Sequence, residues 1–166
     1  MLDALVVNAS PLIFLGNAGR LELIRSIDAK RYIVPKRVYE EVCGSRHLDS
    51  AVKALKEASW IEPASAVSIP STIVGWDLGL GESEVIALAL EISGSRTVID
   101  DLNGRKCALS HGLEVMGTLG VVVSSFRRGV IKDPREVLME LRRAGMWLSD
   151  AVISKSLQAA GIEPTR

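Results

Sequence analysis

Apolar positions in this chain fall into short unbroken runs separated by longer stretches with helical spacing. Residues 4–8 form the first run, apolar without alternation, as expected of a strand covered on both faces of a parallel sheet. Ser10-Pro11 then predicts a helix start, with Ser as N-cap and Pro at the first helical position. Residues 20–27 predict a second helix and Tyr32-Ile33-Val34 a second strand. Pro35 opens a helix carrying Glu40 and Glu41, and residues 49–58 read as helical too. From Trp60 to Gly79 the pattern breaks at Pro63, Pro70 and Gly75, which predicts irregular chain or a hairpin.

The second half alternates more regularly. Gly81 leads into a helical run over residues 83–92, followed by a strand over 97–100, a helix over 104–111 and a strand over 113–116. Thr118 is the expected cap of a helix reaching Arg128. Asp133-Pro134 and Ser149-Asp150 open two more helices, the last ending before Gly161. Strands alternating with helices of about ten residues predict an α/β fold, three layers α/β/α around a central parallel sheet. We expect one domain over residues 1–130 and a C-terminal helical extension of it over 131–166.

Composition narrows the picture. The chain has 166 residues, 48% apolar but only 4% aromatic, so its core should be aliphatic. Twenty basic and twenty acidic residues give a formal net charge of zero. A chain that coats nucleic acid non-specifically carries a net positive field, so any RNA contact here needs a local patch. Cys43 and Cys107 form no CxxC pair and are expected as free thiols. There is no signal-peptide pattern and no run of membrane-spanning length, so a cytoplasmic protein is expected, with no membrane partner.

The candidate chemistry is acidic. Asn8 and Asp100-Asp101 end two predicted strands, and ligands of open parallel sheets bind outside the carboxyl ends of strands. Clustered carboxylates are commonly held by a shared cation, and Mg²⁺ takes carboxylates together with waters and substrate phosphates. Glu82 shares a helical face with Val85, Ile86 and Ala89, whereas Glu84 shares one with Leu88 and Glu91, so Glu82 is the better placed ligand. Helix-dipole complementation in a first turn is an equal explanation for Glu82. Glu41 lies three residues after Val38, beside the buried stripe, while Glu40 pairs with Lys36 at helical spacing; a surface ion pair of Glu41 with Arg37 is the alternative. For Asp100 and Asp101 the alternative is an Asx-turn or a helix cap.

Other motifs carry less. Gly79-Leu80-Gly81 has Glu84 where a dinucleotide fingerprint needs its third glycine, no GxSxG surrounds a serine, and His47 and His111 lack partners at ligand spacing. Arg105-Lys106, Arg127-Arg128, Lys132 and Arg142-Arg143 read singly as solvated helix ends and together as candidates for flanking one phosphate groove.

Taken in order, four segments resemble the motifs of PIN domains, the small nuclease fold of VapC-type toxins and RNA-processing proteins. They are Val6-Val7-Asn8-Ala9-Ser10-Pro11-Leu12, Pro35-Lys36-Arg37-Val38-Tyr39-Glu40-Glu41, Glu82-Ser83-Glu84-Val85-Ile86-Ala87-Leu88-Ala89 and Thr97-Val98-Ile99-Asp100-Asp101. The Asn-x-Ser-Pro-Leu start, the Gly-Glu-x-Glu turn and Gly117-Thr118-Leu119-Gly120-Val121 are similar to one poorly characterised prokaryotic branch. Two positions depart from the motifs: Asn8 and Glu82 both stand where Asp is usual.

The resemblance implies a Mg²⁺- or Mn²⁺-dependent endoribonuclease, with Glu41, Glu82 and Asp101 as catalytic metal ligands. Asp100 and Glu84 would support them, and Asn8 would offer only a neutral amide oxygen. It also implies a small antitoxin as partner in a toxin–antitoxin pair and homodimerisation, while among the basic pairs Arg105, Lys106, Arg127 and Arg128 are the candidate RNA contacts. A catalytically weak PIN-like module binding RNA or a partner protein is the rival that Asn8 and the zero net charge favour. A receiver domain also gathers strand-end acids around Mg²⁺, but it needs a Lys near its fifth strand that Val115-Met116-Gly117 does not supply.

Overall fold

The computed structural model describes residues 1–45, 47 and 49–162. Five strands form one parallel sheet: β1 (Ala4–Val7), β2 (Tyr32–Pro35), β3 (Ile61–Ala64), β4 (Ser95–Val98) and β5 (Glu114–Met116), in the order β3-β2-β1-β4-β5. All four residues of β1 are buried, as its unbroken apolar run requires of the strand at the sheet's centre. Helices flank the sheet on both sides, giving the three-layer α/β/α architecture. α5 (Leu80–Glu91) packs on β1, β2 and β4 and against α6 (Leu102–Ser110). In the other layer α1 (Ala9–Asn17) packs against α3 (Asp49–Glu57) and α7 (Thr118–Arg127), and α8 (Pro134–Arg143) and α9 (Asp150–Ala159) pack onto α7. The core is aliphatic, with Leu5, Ile33, Ile86, Ile99 and Leu141 among its largest fully buried side chains. Arg20, three residues after α1, donates two hydrogen bonds to Glu140 of α8 (2.8 and 3.0 Å), tying the C-terminal helices to the body.

Several local expectations are corrected. The segment after Trp60 holds β3, parallel to β2, and the short helix α4 (Ser71–Val74), where irregular chain or a hairpin was expected. Pro63 is tolerated because β3 is an edge strand, where a missing N–H costs no ladder bond on the open side. Residues 21–26 wind as a 3-10 helix. α1 begins at Ala9, so Asn8 and not Ser10 is its N-cap, and α7 is capped by Gly117 and not Thr118. β4 ends at Val98, two residues early, which frees Asp100 and Asp101 from strand alternation. The caps at Asp133 and Ser149 are as expected, their side chains accepting from Arg135 and Val152 backbone N–H groups.

Two features of this topology position the site. The chain moves from β1 outward through β2 to β3, then crosses back to β4 on the other side of β1. The crevice between the carboxyl ends of β1 and β4 is thus the switch point where ligands of open α/β sheets bind. The helices α1, α2 (Lys36–Gly44), α6 and α7 also start at that edge, directly after β1, β2, β4 and β5, with their positive dipole ends towards it.

Candidate metal and nucleic-acid site

Asn8 follows β1 directly, and its backbone N–H continues the sheet by donating to the Val98 carbonyl at 3.0 Å. Its side chain makes no capping bond to α1. The buried amide instead turns across the switch point, Nδ2 donating to Glu82 Oε1 at 3.4 Å. Glu82 is in the first turn of α5. Burial first, and then the Asp101 carboxylate, hold its pKa above the ordinary value, and Glu41 adds to this. Hydrogen bonds from the Gly79 backbone and from Asn8 act in the opposite direction. Glu82 therefore stands near both the Asp101 and the Glu41 carboxylates at the edge where the strands end.

Glycines keep the space between them open. A methyl group on Gly104 would lie 3.7 Å from both Asp101 Oδ2 and Glu82 Oε1, and one on Gly81 would lie 3.5 Å from Glu41 Oε2. Asp101 is exposed and caps α6, its Oδ2 accepting from the Gly104 N–H at 2.8 Å, so its second oxygen is left for other contacts. Among the described residues, none of Glu41, Glu82 and Asp101 is ion-paired, nor does any group of three His, Cys, Asp or Glu side chains stand close enough to form a ready-made metal cage. The opposite edge is neutralised, by Lys30–Asp3, Arg31–Glu62 and Arg96–Glu114. The zero net charge thus conceals an edge whose three carboxylates have no ion pair among the described residues. The donor set fits an open, hydrated Mg²⁺ or Mn²⁺, which needs only one or two carboxylates and completes its shell with water.

The other sequence candidates are placed elsewhere. Both oxygens of Asp100 are taken by Thr118, Oδ1 accepting from its N–H at 2.7 Å and Oδ2 from its hydroxyl at 2.6 Å, so Asp100 clamps the end of β4 to the start of α7. Gly117 leaves room for this clamp, since a methyl there would meet Asp100 Oδ1 at 2.8 Å and Arg105 Nη1 at 2.9 Å. Glu84 is buried: Oε1 accepts from the Ala66 N–H at 3.3 Å, and Oε2 faces Arg37 Nε at 3.8 Å. It anchors the segment after β3, whereas the helical spacing set it, with Leu88 and Glu91, off the core-facing stripe of Glu82.

Arg105, half-buried, donates to the Ile99 carbonyl at 3.2 Å and so stands by the acidic edge, and Lys106 is exposed next to it in α6. Arg127 and Arg128 lie away from that edge. α7 starts beside Asp100, and its ten residues carry Arg127 about 14 Å away. There Arg127 donates to the Ala159 carbonyl at the end of α9. His111 bonds Thr72 and the Cys107 carbonyl, and both cysteines are free. Sequence reading missed Trp147. It lies on the loop between α8 and α9, which the fold brings against Asp100 and Arg105. No helical period marks it, and only the return of α8 to this edge gives it a neighbourhood.

Comparison with known proteins agrees with this layout. A search of curated proteins found no match to the chain. The family model DUF3368, described as a PIN domain, matches residues 4–162 and so takes in all five strands and the C-terminal helices. The chain belongs to this PIN-domain family.

Proposed function

We propose that this chain is a catalytically weak PIN module that binds single-stranded RNA at the carboxyl edge of its sheet. The observation that carries the reading is Asn8: the strand-end position beside Glu82 holds an amide that donates a hydrogen bond, where a carboxylate would attract a cation. Glu41, Glu82 and Asp101 would hold a hydrated Mg²⁺ or Mn²⁺ with one negative charge fewer than a full acidic set. When bound, such an ion polarises a phosphate and lowers the pKa of an attacking water. The chain's own part is to supply the carboxylates, keep the crevice open at Gly81 and Gly104, and offer Arg105 and Lys106 to phosphates.

A second reading, a fully active metal-dependent endoribonuclease acting as the toxin of a toxin–antitoxin pair, is favoured by the coupling of Glu82 to Asp101 and Glu41. The two differ in rate. Purified protein incubated with mixed single-stranded RNAs, with Mg²⁺, Mn²⁺ or EDTA, should retain RNA in a filter assay and cleave it slowly and only with the ion. Cleavage should vanish in Asp101→Ala. Rapid multiple turnover would establish the second reading, and absence of RNA retention would refute the first.

A further inference from the structure

Trp147 is 88% exposed, and it is held that way by its neighbours. Gly145 turns the chain at φ +97°, Leu148 is buried, Met146 packs against the core, and Ser149 caps α9. The indole therefore projects from a loop pinned on both sides. It stands at a groove of about 590 Å³ whose walls include Leu102, Arg105, Met116 and Leu119, and which reaches Asp100 at the end of β4. Leu102, at the start of α6, is 63% exposed in the same groove.

We infer that Trp147 is a stacking platform for a base of single-stranded RNA whose chain runs on toward the acidic crevice. The inference rests on the RNA reading above and adds a specific subsite to it. An aromatic face accepts any base, and an arginine in the same wall can stack on the base or pair with its phosphate. The groove's lining, with the Arg105 cation beside apolar side chains and the Asp100 carboxylate occupied by Thr118, suits a nucleotide with an apolar face and an anionic backbone better than a second protein surface. The groove is flanked by Leu102 and Arg105 of α6, the helix that Asp101 caps, which gives the strand a path: a phosphate at Arg105, one base on Trp147.

The test is fluorescence anisotropy with 3′-labelled oligo(U) and oligo(A) in Mg²⁺ buffer, read before cleavage sets in. Wild type, Trp147→Ala, Trp147→Phe and Arg105→Gln are compared over a salt series, with sedimentation of each protein. Trp147→Ala should weaken binding roughly tenfold for both sequences without changing the salt slope, because stacking carries no charge. Trp147→Phe should retain most of the affinity, and Arg105→Gln should make the slope shallower. Binding by Trp147→Ala within twofold of wild type would overturn the platform while leaving the RNA reading intact. A wild-type dimer that becomes a monomer in Trp147→Ala, with RNA affinity unchanged, would overturn it too by assigning the indole to contact between copies. Failure of the wild type to bind either RNA would instead remove the RNA reading itself.

Discussion

Asn8 Nδ2 donates to Glu82 Oε1 across the switch point of the sheet. A carboxylate at position 8 could make no such bond to an ionised Glu82. Asn8→Asp should therefore do two opposed things. It should tighten Mn²⁺ binding about tenfold, since a unit charge a few ångströms from a divalent ion is worth on the order of 1 kcal/mol or more even in a watery setting. It should also lower the melting temperature of the metal-free protein at neutral pH, by placing a further anion beside Glu82. Calorimetric titration and thermal melts in EDTA measure the two effects; equal or weaker affinity in the variant would show that position 8 does not face the ion.

The raised pKa of Glu82 has a sign that can be checked. A carboxyl whose folded pKa lies above its ordinary value of 4.5 holds its proton more tightly in the folded than in the unfolded chain. Its contribution to stability is full below that value and is lost as pH rises through the folded pKa. Metal-free wild type should lose stability over that interval relative to Glu82→Gln, and the variant should be the more stable at neutral pH. Denaturant midpoints at several pH values test this, and identical pH profiles would contradict it.

Asp100 and Asp101 are adjacent but should behave differently. Asp100→Ala leaves the Thr118 N–H and hydroxyl without their partner and should cost about 1–3 kcal/mol of stability. Asp101→Ala removes a helix cap, about 1 kcal/mol, but should abolish ion-dependent RNA cleavage in a protein that still folds. Urea unfolding alongside the cleavage assay separates the two.

Glu84 gives a similar separation between a support and a ligand. Glu84→Gln keeps an oxygen for the Ala66 N–H and should leave Mn²⁺ affinity unchanged, while Glu84→Ala should destabilise by about 1–3 kcal/mol. A large loss of Mn²⁺ affinity in Glu84→Gln would place this carboxylate back in the metal site.

What the sequence made legible followed from period and punctuation. Unbroken apolar runs gave β1 and β2, Thr97-Val98 marked the second half of β4, and Pro-bearing and Ser-bearing caps gave α8 and α9. What stayed hidden depended on tertiary partners. Ser10-Pro11 reads as a cap, yet Asn8 fills that place because β1 already ends at Val7. Thr118 reads as a cap for α7, but its hydroxyl is claimed by an aspartate 18 residues earlier. β3 lacks apolar alternation because it lies at the sheet edge, and Glu84 is buried by a loop whose path no local pattern reveals. Arg127-Arg128 and Arg105-Lys106 look alike in sequence; the direction of the helices that carry them takes Arg127 away from the acids and leaves Arg105 by them.

Parallel measurement of binding and cleavage of one single-stranded RNA, by wild type and Asn8→Asp in Mn²⁺, decides whether Asn8 is what weakens the site. Wild type should bind the RNA and cleave it slowly, and Asn8→Asp should cleave it about tenfold or more faster, cleavage by either protein vanishing in EDTA. Wild-type cleavage as fast as that of Asn8→Asp, or cleavage undiminished in EDTA, would contradict the proposed function.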